Sequence, residues 1–122
     1  MKKNLRDPAE FQRVYRNGKR FEGSFITVFV IDNQGMQHRL GVTASKKALG
    51  NAVQRNRAKR LLRETFRSNE VALKALGKNY DWVLNAKAAV LNDNFWAPSR
   101  EFGEIVEKVS RQEDAGKRLV KS

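Results

Sequence analysis

The stretch Ser45–Ser68, SKKALGNAVQRNRAKRLLRETFRS, constrains this chain more than any other. Lys46, Lys47, Arg55, Arg57, Lys59, Arg60, Arg63 and Arg67 are opposed only by Glu64, so 22 residues hold a net +7 of the chain's +12. Ala58, Leu61, Leu62, Thr65 and Phe66 follow the i, i+3, i+4, i+7, i+8 spacing of a helix stripe that faces a core. Asn56, Lys59, Arg60, Arg63 and Arg67 project to the other side. Asn51 is placed to cap, Gln54 three residues later to complete a capping box, and Gly50 to supply a turn. The segment is predicted to be a helix with one side buried and the other crowded with guanidinium groups.

A solvated face is the ordinary use of a basic run. Here the charges are almost all of one sign, so they repel and gain little i, i+4 ion pairing. Arg outnumbers Lys on the helix, and the planar guanidinium suits phosphates and base edges. Asn56 adds both a donor and an acceptor. A polyanion is the economical partner, nucleic acid foremost.

The same residues carry a resemblance. Ser45-Lys46-Lys47, Gly50-Asn51-Ala52-Val53, Arg55-Asn56-Arg57 and Lys59-Arg60-Leu61 to Arg63-Glu64 stand in one order. That string closely resembles the Arg-Asn-Arg signature of the bacterial ribonuclease P protein family, small basic subunits that accompany a catalytic RNA.

Composition agrees with an RNA-bound class. At 122 residues the chain is expected to form one domain over 1–122, with a modest core. A pI near 10.5 speaks of partners and not of fold. No Cys is present, which excludes disulfides and thiolate metal sites and permits a cytoplasmic location. The start, MKKNLRDPAEF, has no apolar run of signal-peptide type, and no later segment is long enough to cross a bilayer, so no membrane partner is expected.

Along the chain, Asp7-Pro8-Ala9-Glu10 is a helix start: Asp7 caps, Pro8 takes the first helical position and Glu10 closes the box. Gly18 is placed to end that helix, on which Phe11, Val14 and Tyr15 share a face. Val14 is assigned to the core. Phe11 and Tyr15 are either core or stacking platforms for unpaired bases. A weaker, shorter strand is read at 19–22. Phe25–Ile31 reads as a strand whose core face is Ile26, Val28 and Val30, leaving Thr27 and Phe29 towards the other side. Asp32-Asn33-Gln34-Gly35 is turn chemistry, and 38–43 is expected to return beside that strand as an antiparallel hairpin.

Val71–Leu76 either continues the basic helix or forms a separate turn, and Gly77 ends it. Asp81–Lys87 reads as another strand. Phe102, Ile105, Val106 and Val109 form the stripe of a final helix that packs on the sheet. The ordered core is expected to span about residues 5–112, with a polar, frayed end from Glu113 to Ser122. The derived pattern is a single α+β domain.

The resemblance implies more. The fold would be a two-layer α+β domain of order roughly α-β-β-β-α-β-α, with helices on one side and a left-handed βαβ crossover, related to a ribosomal-protein fold. The catalytic RNA would hold the magnesium ions and remove the 5′ leader from precursor transfer RNA, while the protein binds that RNA, grips the leader and raises substrate and metal affinity. Lys46, Lys47, Arg55, Asn56, Arg57, Lys59, Arg60, Arg63 and Arg67 would face RNA. Phe11, Tyr15, Thr27, Phe29 and Lys87 would line the leader cleft. No obligate protein partner is evident. Asn85 departs from the family pattern, where an apolar residue is usual. Either it points into the cleft as a hydrogen-bonding group or the strand shifts locally.

A catalytic centre within the chain is not expected. His38 is the sole His, read as a surface or edge residue, and Asn92-Asp93-Asn94 reads as a loop or cap and not as a metal cluster. Two further classes compete: a structural ribosomal protein using the same helix on ribosomal RNA, and a DNA-binding module. The latter is disfavoured because no short helix and tight turn are seen before the basic helix.

Overall fold

The computed structural model describes residues 4–92 and 96–121, with side chains described as far as residue 115. Its elements in order are α1 (Pro8–Asn17), β1 (Lys19–Glu22), β2 (Ile26–Asp32), β3 (Arg39–Thr43), α2 (Lys46–Leu49), α3 (Ala52–Ser68), α4 (Glu70–Lys74), β4 (Tyr80–Ala86), a 3₁₀ turn (Ala88–Leu91) and α5 (Trp96–Lys121). Asp93 and Asn94, read above as a loop, lie outside the described residues.

The sheet order is β1-β2-β4-β3. β2 pairs antiparallel with β1 and with β4, and β3 pairs parallel with β4. The expected β2–β3 hairpin is therefore wrong: β4 stands between them. Turn residues show that the chain reverses, not which strand receives it. Here Asn33 donates from its backbone N–H to Asn79 O at 3.0 Å, so the connection crosses the end of β4. β4 is also the most thoroughly buried strand, with only Asn85 half-buried, which suits a central position. The β3–helix–β4 crossover follows, because parallel neighbours need a long connection.

One face of the sheet carries the main core. Ile26, Val28 and Val30 of β2, Leu40 of β3, and Trp82 and Leu84 of β4 pack there against Ala58 and Leu62 of α3 and against Phe102, Ile105, Val106 and Val109 of α5. Trp82 is fully buried at the centre, with Phe102 5.4 Å and Tyr80 5.7 Å away between ring centroids. The predicted stripes of α3 and α5 are the ones that pack. On the opposite face stands α1, whose Val14 joins Leu5 and Val83 in a smaller cluster flanked by Phe11, Phe29 and Ile31. Only the later helices share one side; α1 takes the other.

The caps form where they are read, except that at α3 only the Asn51 half of the expected box is made. Asn51 Oδ1 accepts from Gln54 N at 2.9 Å to cap α3, after Gly50 has turned the chain at φ +86°. Glu10 Oε1 accepts from Asp7 N at 3.1 Å and Arg6 N at 3.0 Å. The open question after the basic helix resolves as a separate single-turn helix: Asn69 ends α3, donating to Thr65 O at 2.9 Å and Ser99 O at 3.1 Å.

The last helix runs on through Lys121, and Glu113, where the polar end was expected to begin, is tied down, accepting from Gly77 N at 2.8 Å, Lys78 N at 3.1 Å and the Tyr80 hydroxyl. Glu101 does the same at the other end of the sheet, holding the backbone N–H groups of Ser24, Phe25 and Ile26. Isolated charge on a helix looks frayable until the loop that it grips is known. His38 is half-buried just before the edge strand β3, as the edge reading has it, but it is a hydrogen-bond hub and not a free surface imidazole. Its Nδ1 accepts from Tyr80 N at 3.0 Å and Trp82 Nε1 at 3.1 Å, so Nε2 carries the proton and donates to Leu73 O at 2.9 Å.

Candidate nucleic-acid interface

The basic helix is two-sided as its spacing requires. Ala58, Leu62 and Thr65 are buried, and Leu61 and Phe66 half-buried, whereas Asn56, Arg57, Arg60, Arg63 and Arg67 are exposed. Lys46 and Lys47 are exposed on α2, and Arg55 and Lys59 are half-buried. Among the described residues none of these eight cations enters a salt bridge. Unpaired like charges along one helix raise the local potential and cost stability unless an anion meets them. A short helix does precede α3, contrary to expectation: Ser45 Oγ accepts from Ala48 N at 3.1 Å to cap α2. It is a single turn of four residues, too short to be the first helix of a helix-turn-helix pair.

On the α1 side, strand alternation sets out three rows across the sheet. Register places Glu22, Thr27, Asn85 and Thr43 in the first, Arg20, Phe29, Val83 and Gly41 in the second, and Ile31, Asp81 and Arg39 in the third. α1 covers the second and third. Phe11 sits over Gly41, where an added Cβ would come within 2.6 Å of its ring, so only glycine lets the helix approach there. Tyr15 meets Phe29 edge to face at 4.8 Å, and its hydroxyl donates to Asn85 Oδ1 at 3.0 Å. The first row is left as a polar floor beside two aromatic rings. Thr43, at its end, lies three residues before Lys46, so floor and cationic segment begin at the same edge of the sheet.

The third row clamps α1 down. Asp81 takes a two-pronged bond from Arg39, Nε at 2.8 Å and Nη2 at 2.7 Å, and Arg39 Nη1 reaches Glu10 Oε2 at 2.8 Å. Arg13 approaches Asp81 at 3.6 Å. The backbone N–H groups of Arg6 and Asp7, and then Arg39, hold the Glu10 carboxyl below the ordinary glutamate range. A carboxyl depressed on folding contributes stability above its unfolded pKa and loses it as pH falls through the folded value. Glu10→Gln is therefore expected to lower the unfolding midpoint at pH 7 and to converge with the parent chain as the pH drops below about 4. Denaturant titrations at both pH values measure it; an equal gap at both removes the linkage.

Of the cleft residues read from sequence, Tyr15 and Phe29 meet directly, and Phe11 lies beside them as a packed ring. Thr27 faces this side but is only 8% exposed, which leaves little of it for a ligand. Lys87 stands at the rim, its Nζ 2.8 Å from Glu22 Oε2 and 2.6 Å from Gly23 O. Asn85 stays in regular register with Thr27 and Thr43, so the strand does not shift and the side chain joins the cleft floor. Thr43, Asp81 and Arg39 were missed. Alternation along 39–43 carries the signal, since burial of Leu40 and Val42 on the core side sends their neighbours to the α1 side. Among the described residues no three His, Asp or Glu side chains converge as a metal site requires.

A family model described as Ribonuclease P matches residues 1–110. The ribonuclease P protein component of Clostridium kluyveri is 43% identical over 85 residues, 70% of this chain and 74% of that one. That of Coxiella burnetii is 35% identical over 88% of this chain and 83% of its own. Among solved structures, the Staphylococcus aureus RNase P protein superposes with a TM-score of 0.72 at 29% identity, covering 90% of this chain and 96% of its own. The Thermotoga maritima RNase P protein gives 0.73 at 25% identity, over 86% and 96%. The family model spans the basic helix and every residue of the cleft described above, and this chain belongs to the ribonuclease P protein family.

Proposed function

We propose that this chain is the RNA-binding subunit of a cytoplasmic ribonuclease P ribonucleoprotein, which removes the 5′ leader from precursor transfer RNA. The observation that carries the reading is the pairing of an unneutralised cationic helix with an open cleft of polar and aromatic groups. The two surfaces offer different chemistry. Lys46, Lys47 and the α3 cations neutralise phosphates of the catalytic RNA, and Asn56 adds a hydrogen-bonding group among them. Tyr15 and Phe29 offer ring surface to an unpaired leader, with Lys87 at the rim. Hydrolysis belongs to the RNA and the magnesium ions that it holds; the protein's own groups bind and position.

Tyr15→Ala is expected to weaken binding of leader-bearing precursor by about 1–3 kcal/mol, with little change on leaderless transfer RNA. Equal losses on both would return Tyr15 to a packing role. The deciding experiment adds the purified protein to a bacterial ribonuclease P RNA at low magnesium. Restored, accurate 5′ cleavage supports the reading, with the protein alone cutting nothing. Binding to correctly folded RNA without any gain would move a structural ribosomal RNA role to the front.

A further inference from the structure

The first row of the cleft contains a hydrogen-bond node whose polarity is set from within. Asn85 Oδ1 accepts from the Thr43 hydroxyl at 2.6 Å and from the Tyr15 hydroxyl at 3.0 Å. A separation of 2.6 Å suits O–H···O and is short for N–H···O, so oxygen and not nitrogen points at Thr43. Both lone-pair directions of that oxygen are then used. The amide nitrogen, on the opposite limb of the same planar group, has no partner among the described residues and is not enclosed. The side chain is half-buried, flanked by Thr27 and Thr43 on the neighbouring strands, and cannot turn over without breaking two bonds.

We infer that Asn85 is a specificity-determining residue: its amide nitrogen presents a fixed hydrogen-bond donor to an acceptor on the edge of one leader nucleobase. The inference rests on the cleft being the leader path. Tyr15 has two parts in it. Its ring borders the space a base enters, and its hydroxyl orients the Asn85 amide. Because both hydroxyl protons are committed to Oδ1, Tyr15 Oη and Thr43 Oγ1 retain only acceptor capacity towards that space. The node therefore offers a donor on one limb of the amide and two acceptor oxygens beside the other, a mixed pattern that complements a base edge, where acceptors and N–H groups lie side by side. A phosphate, with acceptors alone, would leave the two hydroxyl oxygens unmatched. A donor held without rotational freedom loses less on binding than a mobile side chain does.

The test is a cycle between protein variants and modified leaders in the assembled holoenzyme. Precursors carry an abasic residue, or a non-polar base isostere, at one leader position at a time, and affinity is measured for the parent chain, Asn85→Asp, Asn85→Ile and Tyr15→Phe. Asn85→Asp still accepts both hydroxyl protons but has no donor, so it separates donor loss from misfolding. The parent chain should lose about 5–30-fold for the isostere at one position, and both Asn85 variants should lose that sensitivity at that position only. Tyr15→Phe should reduce it while keeping the ring. Leader-dependent binding by the parent chain with unchanged position dependence in Asn85→Asp overturns the inference and leaves the cleft reading intact. Binding by the parent chain that ignores the leader altogether overturns both.

Discussion

Asp81→Ala is expected to cost about 3 kcal/mol of folding stability, the low end for breaking one side of a buried ion pair. Asp81 is 1% exposed and accepts from Arg39 Nε, Arg39 Nη2 and Asn33 Nδ2, all within 2.9 Å. Its removal leaves the Arg39 guanidinium with Glu10 alone. Arg39 keeps 30% of its side-chain exposure, so solvent recovers part of the loss, which is why the upper end of the range does not apply. Set against a total of about 5–15 kcal/mol for a domain, the change is large. It also loosens α1, whose Glu10 and Arg13 both reach this cluster, so leader binding should fall with it. Asp81→Asn, which retains one acceptor oxygen, should lose less. Denaturant unfolding reads the midpoint; an unmoved midpoint would mean that desolvation of the carboxylate cancels its pairing in the parent chain.

Combined replacement of Arg60, Arg63 and Arg67 by alanine should weaken binding to the catalytic RNA by about 50–170-fold at 0.15 M salt, if each meets one phosphate. The figure follows from counterion release, with each contact scaling as the inverse salt concentration to the power of about 0.7–0.9. The slope of log K against log salt should accordingly fall by about 2–3. All three side chains are exposed and unpaired among the described residues, so the fold should survive, slightly relieved of repulsion. The loss should be the same with and without a leader, unlike that of Tyr15→Ala. A slope reduced by about 1 would leave one phosphate contact and two solvated cations.

The two sites differ in how far they could be read before the fold was known. The basic helix was legible because every signal in it is local: a cap at Asn51, a turn at Gly50, a stripe at i, i+3, i+4, and one sign of charge. Helix geometry converts such spacing into faces without reference to the remainder of the chain. Val14 and the α5 stripe were legible for the same reason. The order of the β-strands was not, since alternation assigns faces but says nothing about which edges meet. The β2–β3 hairpin was the nearest pairing along the chain, yet burial of the apolar Tyr80–Ala86 segment between two neighbours outweighed it.

What remained hidden shares one property, separation along the chain. Tyr15 meets Asn85 across 70 residues, and Arg39 meets Asp81 across 42. His38 looked like a spare imidazole until Tyr80 and Trp82 arrived as its donors. An Asn in an apolar strand pattern looked like a departure, and became the acceptor for two hydroxyls once β3 and α1 were laid on either side of it. Residue type and spacing establish which groups want partners and which face of an element bears them. Which partner each receives depends on the sheet order β1-β2-β4-β3 and on the face each helix covers, because together they bring distant polar atoms within the three ångströms a hydrogen bond needs.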